Sequence, residues 1–444
     1  MPDRLKDIET ICRVGDAESP ILHNFMFEKE THKMKEGSYE NREYEELCRK
    51  ALLRMGNHSR IVYHIGRVLQ NEKITVAYIG GSITQGVGAK KPWKDCYAYQ
   101  SFLGFRNALE RKFELTKEQL KNICFLKAGL AGTGSELGSV RYEADVERDG
   151  KEMPDIVIVE FCVNDEEDET KGVFYESLVR RILGQKNCPA AILLFSVFQD
   201  GFNLQKRLFP IGERYDLPVI SIKDGIYGQF GREKEIISSD AFYADPLHPS
   251  EIGHRFMADC LCYYWSRLLE NVDLSRSQQI GVGEGSSAQV EEIQPVYGKG
   301  MVAMRLLDRN HSYEGAQIQE GDFNGTDQDL QCAPMDDGPE EIPAFPYNWH
   351  FKGTGSDLRP FCMNIHAASL VVVLKDSDKE EFGVVHIHVD GKPCRIFDPH
   401  VDNWTHCHVL LLYKDCPGLH KVEIFPQPGE TEKKATILGF GYVP

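Results

Sequence analysis

Four short stretches of this chain hold residue types that together could break an ester. The first is ITVAYIGGSITQGVG, residues 74–88, where Ser82 follows two glycines at the end of an apolar run. A serine on a tight turn after a buried strand exposes its hydroxyl, and nearby backbone N–H groups can face the reacting atom. The two glycines are expected to make that turn by taking positive φ. The second is AGLAGTGS, residues 128–135, whose glycines let a backbone N–H approach a substrate oxygen. The third is VEFCVND, where Asn164 offers a side-chain N–H. The fourth is DPLHPSEIGH, with Asp245 and His248 three residues apart. A histidine acting as a base needs a carboxylate at its other ring nitrogen, and the D-x-x-H loop supplies one. Taken singly, each piece has a plainer reading: a flexible turn, a helix cap or a surface histidine.

The four pieces in this order resemble the SGNH (GDSL) hydrolase family, over about residues 60–270. By that resemblance Ser82 is the nucleophile, Asp245 and His248 complete the triad, and Ser82, Gly132 and Asn164 form the oxyanion hole. Gly129 is the near competitor of Gly132. The commonest family form has Asp where this chain has Gly81; the GGSIT variant marks a subgroup rather than a loss of activity. The resemblance implies a three-layer α/β/α fold with a flavodoxin-like sheet, and it requires no cofactor and no metal.

The elements that must position these residues can be read from periodicity. Strand-like runs occur at 74–79, 123–126, 156–161, 192–197 and 219–222, and helix-like stretches at 97–113, 136–148, 172–184, 204–215 and 249–269. Alternation of this kind predicts a parallel sheet covered on both faces. Ahead of it, 40–55 and 57–69 carry helical stripes, and PILHNFMFEK reads as a strand that packs on another domain. Residues 273–300 are polar and rich in Gly and Ser, as in a linker. Beyond them, FCMNIHAASLVVVLKD, GVVHIHVDGK, HCHVLLLYKD, HKVEIFP and TILGFGYV predict an antiparallel β-sandwich, with Asp390-Gly391 as a hairpin turn. The expected domains are an N-terminal segment 1–59, a catalytic domain 60–272, a linker 273–300 and a sandwich 301–444. That sandwich resembles the accessory β-domains attached to carbohydrate esterases.

Composition narrows the partners. The chain has 444 residues, 41% hydrophobic and 27% charged, as expected of a soluble globular protein. A net charge of −17 argues against nucleic acid and anionic membrane. No apolar run approaches a membrane span, and the first residues lack the apolar core of a signal peptide. Thirteen scattered cysteines fit a reducing compartment, so a cytoplasmic location is expected. Cys260-x-Cys262 has the wrong spacing for a zinc knuckle. GGSITQGVGAKK lacks the Lys of a phosphate loop at Val87, and AGLAGTGSELG lies on the second strand, where a dinucleotide fingerprint does not belong.

The expected reaction is removal of a small acyl group, acetyl foremost, from an oligosaccharide through an acyl-enzyme. Trp93 and Tyr97 on the loop after Ser82, with Asp200 and Asn203 after the fourth strand, are the candidate sugar contacts. Two other readings compete: a lipid-type or thioester acyl hydrolase, and a glycan-binding protein with a vestigial hydrolase domain. A homo-oligomer is compatible with the sequence. His386-x-His388 and His406-x-His408 would each share one face of a strand, and on adjacent strands the pairs could meet around a metal; an ordinary polar strand face is the plainer reading.

Overall fold

The computed structural model describes residues 38–270, 272, 290–353, 358–402 and 404–444. The PILHNFMFEK stretch and residues 273–289 of the expected linker lie outside them. The first sheet contains Leu52–Arg54 (β1), Ile74–Gly80 (β2), Ile123–Gly129 (β3), Ile156–Glu160 (β4), Ala190–Phe195 (β5) and Val219–Ser221 (β6). Its order is β1-β6-β5-β4-β2-β3. β2 to β6 run parallel, and β1 is antiparallel to β6.

Alternation along the strands divides the apolar side chains between two cores. Val76, Tyr78, Ile158 and Leu194 face the helices Ser38–Ala51, Ser59–Leu69, Tyr97–Phe113 and Glu251–Glu270. Ala77, Ile79, Val159 and Leu193 face Ser135–Asp145, Val173–Leu183 and Gln205–Arg214. β4 and β5 are buried at every residue, as strands covered on both faces must be. The result is a three-layer α/β/α sandwich. Within the parallel set the chain starts at β2, moves outward to β3, then crosses back to β4. The switch point therefore lies between β2 and β4, and their carboxyl ends are where an open α/β sheet holds its ligand.

One boundary departs from the sequence reading. The stripe over 40–55 predicts a single helix, but the helix stops at Ala51 and Leu52–Arg54 pairs with β6. An unpaired strand edge beside β6 offers N–H and C=O groups that this short segment satisfies. Gly56, at φ +57°, then turns the chain where any Cβ would meet the Leu217 carbonyl carbon.

The second half contains Arg305–Leu307 (β7), Ala316–Gln319 (β8), Cys332–Pro334 (β9), Glu341–Pro343 (β10), Trp349–Phe351 (β11), Phe361–Ala367 (β12), Ser369–Asp376 (β13), Val385–Val389 (β14), Lys392–Phe397 (β15), His406–Tyr413 (β16), Gly418–Pro426 (β17) and Ala435–Val443 (β18). One antiparallel sheet runs β11-β18-β13-β16, with β7 also on β18; the other runs β15-β14-β17-β12-β8. The stretch that reads as one run, FCMNIHAASLVVVLKD, is two strands in different sheets, joined at Ala368. The Asp390-Gly391 turn has positive φ at both residues, as a two-residue hairpin requires.

The two halves share apolar packing. Leu130, Leu137, Val140 and Phe174 join Met304, Val371, Val373 and Leu438 in one buried cluster. The chain entering the sandwich is also fastened: the buried Glu176 carboxylate accepts the backbone N–H groups of Val296 (2.7 Å), Tyr297 (2.6 Å) and Gly298 (2.9 Å).

Candidate active site

Ser82 is the first residue of a single helical turn, Ser82–Gln85, directly after β2. The glycines before it act differently from expectation. Gly81 has φ −86°, and neither Gly80 nor Gly81 takes positive φ. They are required for close approach. A Cβ on Gly80 would lie 2.1 Å from Thr84 Oγ1, and one on Gly81 would lie 2.4 Å from Asn164 Oδ1. The Asn164 amide therefore rests against the residue before Ser82.

The D-x-x-H loop reaches the serine. His248 Nε2 stands 3.0 Å from Ser82 Oγ, and His248 Nδ1 stands 2.9 and 3.0 Å from the two Asp245 carboxylate oxygens. A carboxylate only accepts, so Nδ1 carries the proton and Nε2 is left to take one from the hydroxyl. Asp245 Oδ1 also accepts the N–H groups of Leu247 and His248 at 2.8 and 3.0 Å. Burial is the largest influence on Asp245 and pushes its pKa up. The His248 contact and these backbone donors together outweigh it, so the carboxyl sits below its ordinary range. The loop is closed by the Ala244 N–H to His248 carbonyl bond at 2.9 Å and by a Tyr243–Pro249 bridge.

The expected oxyanion side comes from the other two blocks. Gly132 has φ +67°, and it lines one cleft together with Asn164. Gly129 is taken up by packing, since a Cβ there would lie 2.1 Å from the Gln85 backbone nitrogen. Asp165 ties the blocks together by accepting both the N–H and the hydroxyl of Ser135 at 2.7 Å. Burial raises Asp165 to about 7.

Several supporting residues carry no sequence motif. Glu160, at the end of β4, accepts from Thr84 Oγ1 at 2.9 Å and from Ser196 Oγ, which holds the Ser82 turn from beneath. Arg141 donates to the Gly80 carbonyl at 3.0 Å. His254 bonds the Val87 carbonyl through Nε2 (2.9 Å) and accepts the Tyr97 N–H at Nδ1 (3.3 Å), so it is the neutral Nε2–H tautomer. Burial lowers its pKa to about 4. The sandwich contributes as well: a Cβ on Gly132 would lie 2.6 Å from the Trp404 indole, so Trp404 walls the Gly132 side.

Two of the four expected sugar contacts, Tyr97 and Asn203, are occupied elsewhere. Tyr97 is fully buried, hydrogen-bonded to Thr84 at 2.8 Å and stacked on His254. Its helix begins at that residue, which turns the ring inward. Asn203 donates to the Ser196 carbonyl and accepts from the Gln205 N–H at the start of the next helix. Asp200 is exposed and closes a local turn through the Phe202 N–H. Trp93 is half-buried on a loop that Lys127 holds through the Pro92 carbonyl. The two His-x-His pairs also fail to meet, since β14 and β16 belong to different sheets.

Residues 78–256 match the profile of the GDSL-like lipase/acylhydrolase family. Those residues form a GDSL-like hydrolase domain. No curated protein matches the chain. A solved two-domain esterase (CEX) active on acetylated mannans, co-crystallised with mannopentaose, is 24% identical over 89% of this chain and 98% of its own, with a TM-score of 0.69. A second structure of a two-domain esterase (CEX) active on acetylated mannans gives 23%, 89%, 99% and 0.67. At these identities the likeness is one of fold, and it spans the GDSL-like domain and the sandwich together.

Beneath the Ser82 turn of the GDSL-like domain, Glu160 makes stability depend on pH. Burial raises it to about 7 from 4.5. Between those values the folded state holds a proton that the unfolded state has lost. Its contribution is complete below the unfolded value and is lost as pH rises toward 7, on the order of 3 kcal/mol in all. Glu160→Gln should flatten the decline in Tm between pH 5 and pH 8. An unchanged slope in thermal scans across that range would mean that Glu160 titrates normally.

Proposed function

We propose that the chain is a serine esterase that removes small O-acyl groups, acetyl foremost, from oligosaccharides. The observation that carries this is the unbroken relay from Asp245 through His248 to Ser82, at 2.9 and 3.0 Å. His248 takes the hydroxyl proton, and Ser82 Oγ attacks the ester carbonyl. The N–H groups of Ser82 and Gly132 and the Asn164 amide receive the developing oxyanion. The imidazolium then protonates the departing sugar hydroxyl, leaving an acyl-enzyme. In the second half His248 deprotonates water, which releases the acid and restores Ser82.

The substrate class rests on the walls of the site. The cleft beside Gly132 and Asn164 is lined by Glu136, Glu167 and Glu169, a polar surface suited to hydroxyl groups rather than an alkyl chain. Trp404 limits the room beside Gly132 and supplies an aromatic face. The mannan activity of the two-domain esterase of similar fold supports the oligosaccharide reading. The twelve described cysteines are all free, in keeping with a reducing compartment.

Treatment of acetylated manno-oligosaccharides should remove mass in steps of about 42 Da, the size of an acetyl unit exchanged for a proton. The Ser82→Ala protein is the control and should leave the spectrum unchanged. Nitrophenyl acetate should be cleaved on the order of tenfold or more faster than nitrophenyl octanoate. Faster octanoate cleavage would replace this reading with the lipid-type hydrolase.

A further inference from the structure

A cluster at the sandwich wall of the cleft, three of whose four residues line it, is arranged for a ligand the reaction does not use. Asp376 ends β13 and is fully buried, yet neither of its carboxylate oxygens has a hydrogen-bond partner. Leaving a carboxylate in that state is costly unless a cation completes it. Two imidazoles on β16, the neighbouring strand, face it: His406 Nδ1 at 3.7 Å and His408 Nδ1 at 3.5 Å. A charged N–H to carboxylate bond is about 2.7–2.9 Å long, so these are not ordinary ion pairs. Asp402 closes the fourth side, with Oδ2 at 3.2 Å from His406 Nε2 and 3.9 Å from His408 Nδ1. Each of the four residues offers a donor atom within 4.8 Å of the other three.

We infer that Asp376, Asp402, His406 and His408 bind a divalent transition cation, zinc foremost. Donors placed about 2.0–2.2 Å from a tetrahedral ion stand about 3.3–3.5 Å apart, and the cluster needs only small movements to reach that spacing. Two imidazoles with two carboxylates suit zinc better than magnesium or calcium, which prefer an all-oxygen shell. His406 is placed by register: it lies directly opposite Asp376 in the β13–β16 ladder, and His408 follows on the same face. Its ring stacks on Trp404, centroids 4.4 Å apart and planes at 8°. The ion therefore fastens the segment whose indole walls Gly132, and it links the order of the sandwich edge to the shape of the ester site.

The test uses tag-free, chelator-stripped full-length protein and zinc alone. Metal analysis after dialysis should find one zinc per chain, with a higher Tm than the stripped form. Asp376→Asn and His408→Ala should each lose that zinc and the rise in Tm, whereas His388→Ala, in the other sheet, should keep both. Asp376→Asn should also raise the Tm of the metal-free protein, because it removes an uncompensated buried charge. X-ray absorption on zinc-loaded wild type gives a second readout that needs no variant, and it should show a nitrogen–oxygen shell with two imidazoles. The inference is overturned by absent zinc uptake, by uptake that survives in Asp376→Asn or His408→Ala, or by a sulfur shell from the free cysteines.

Discussion

Ser82→Ala should lower kcat on nitrophenyl acetate by about 10^5 to 10^6-fold while leaving the fold intact. Among the described residues the hydroxyl's hydrogen-bond partner is His248 Nε2, so its removal breaks no bond that holds a strand or helix. Circular dichroism and Tm should therefore match wild type. His248→Ala should fall to a similar floor, and the double variant should fall little further, because the serine and its base act as one unit. Asp245→Asn should lose less than either, since Asp245 fixes a tautomer rather than touching the ester. A Ser82→Ala protein that retained about a tenth of the activity would remove the nucleophile assignment altogether.

Asn164→Ala should lower kcat by about 10^2 to 10^3-fold with little change in KM. The residue follows β4 at the switch point, and its amide is pressed against Gly81. Asn164 Oδ1 is buried without a partner, so truncation removes few structural bonds. A donor that acts only on the oxyanion affects the transition state more than the bound ester. Steady-state kinetics distinguish the roles: a raised KM with unchanged kcat would make Asn164 a substrate-binding residue.

The parts of the site that could be read from sequence are those set by short-range rules. Ser82 follows a mostly apolar strand run, and Asp245 and His248 are close enough for a single loop to join them. Asn164 likewise follows a strand run. The parts that were hidden come from long-range packing. Glu160 reads as one residue of the strand 156–161, and nothing local indicates that Thr84 and Ser196 will meet it. Trp404 and Asp376 lie hundreds of residues from Ser82, and only docking of the sandwich brings Trp404 to Gly132. Tyr97 misleads because aromatic residues near a charged loop resemble a sugar platform, while the helix start decides which way the ring turns. β1 is too short to carry a period of two, and Leu52 and Leu53 continue the helical stripe until the edge of β6 captures them.

The apolar cluster shared by the two halves limits how this protein could be re-engineered. Accessory modules on flexible tethers can be exchanged like cassettes. Here, excising the C-terminal half would bare Leu130, Leu137, Val140 and Phe174 to solvent. It would also leave Glu176 without the three backbone donors that now hydrogen-bond it. A truncated hydrolase would emerge as a sticky, aggregation-prone fragment missing one side of its own substrate gorge. Grafting a foreign sugar-binding module onto it would require redesigning that whole seam first.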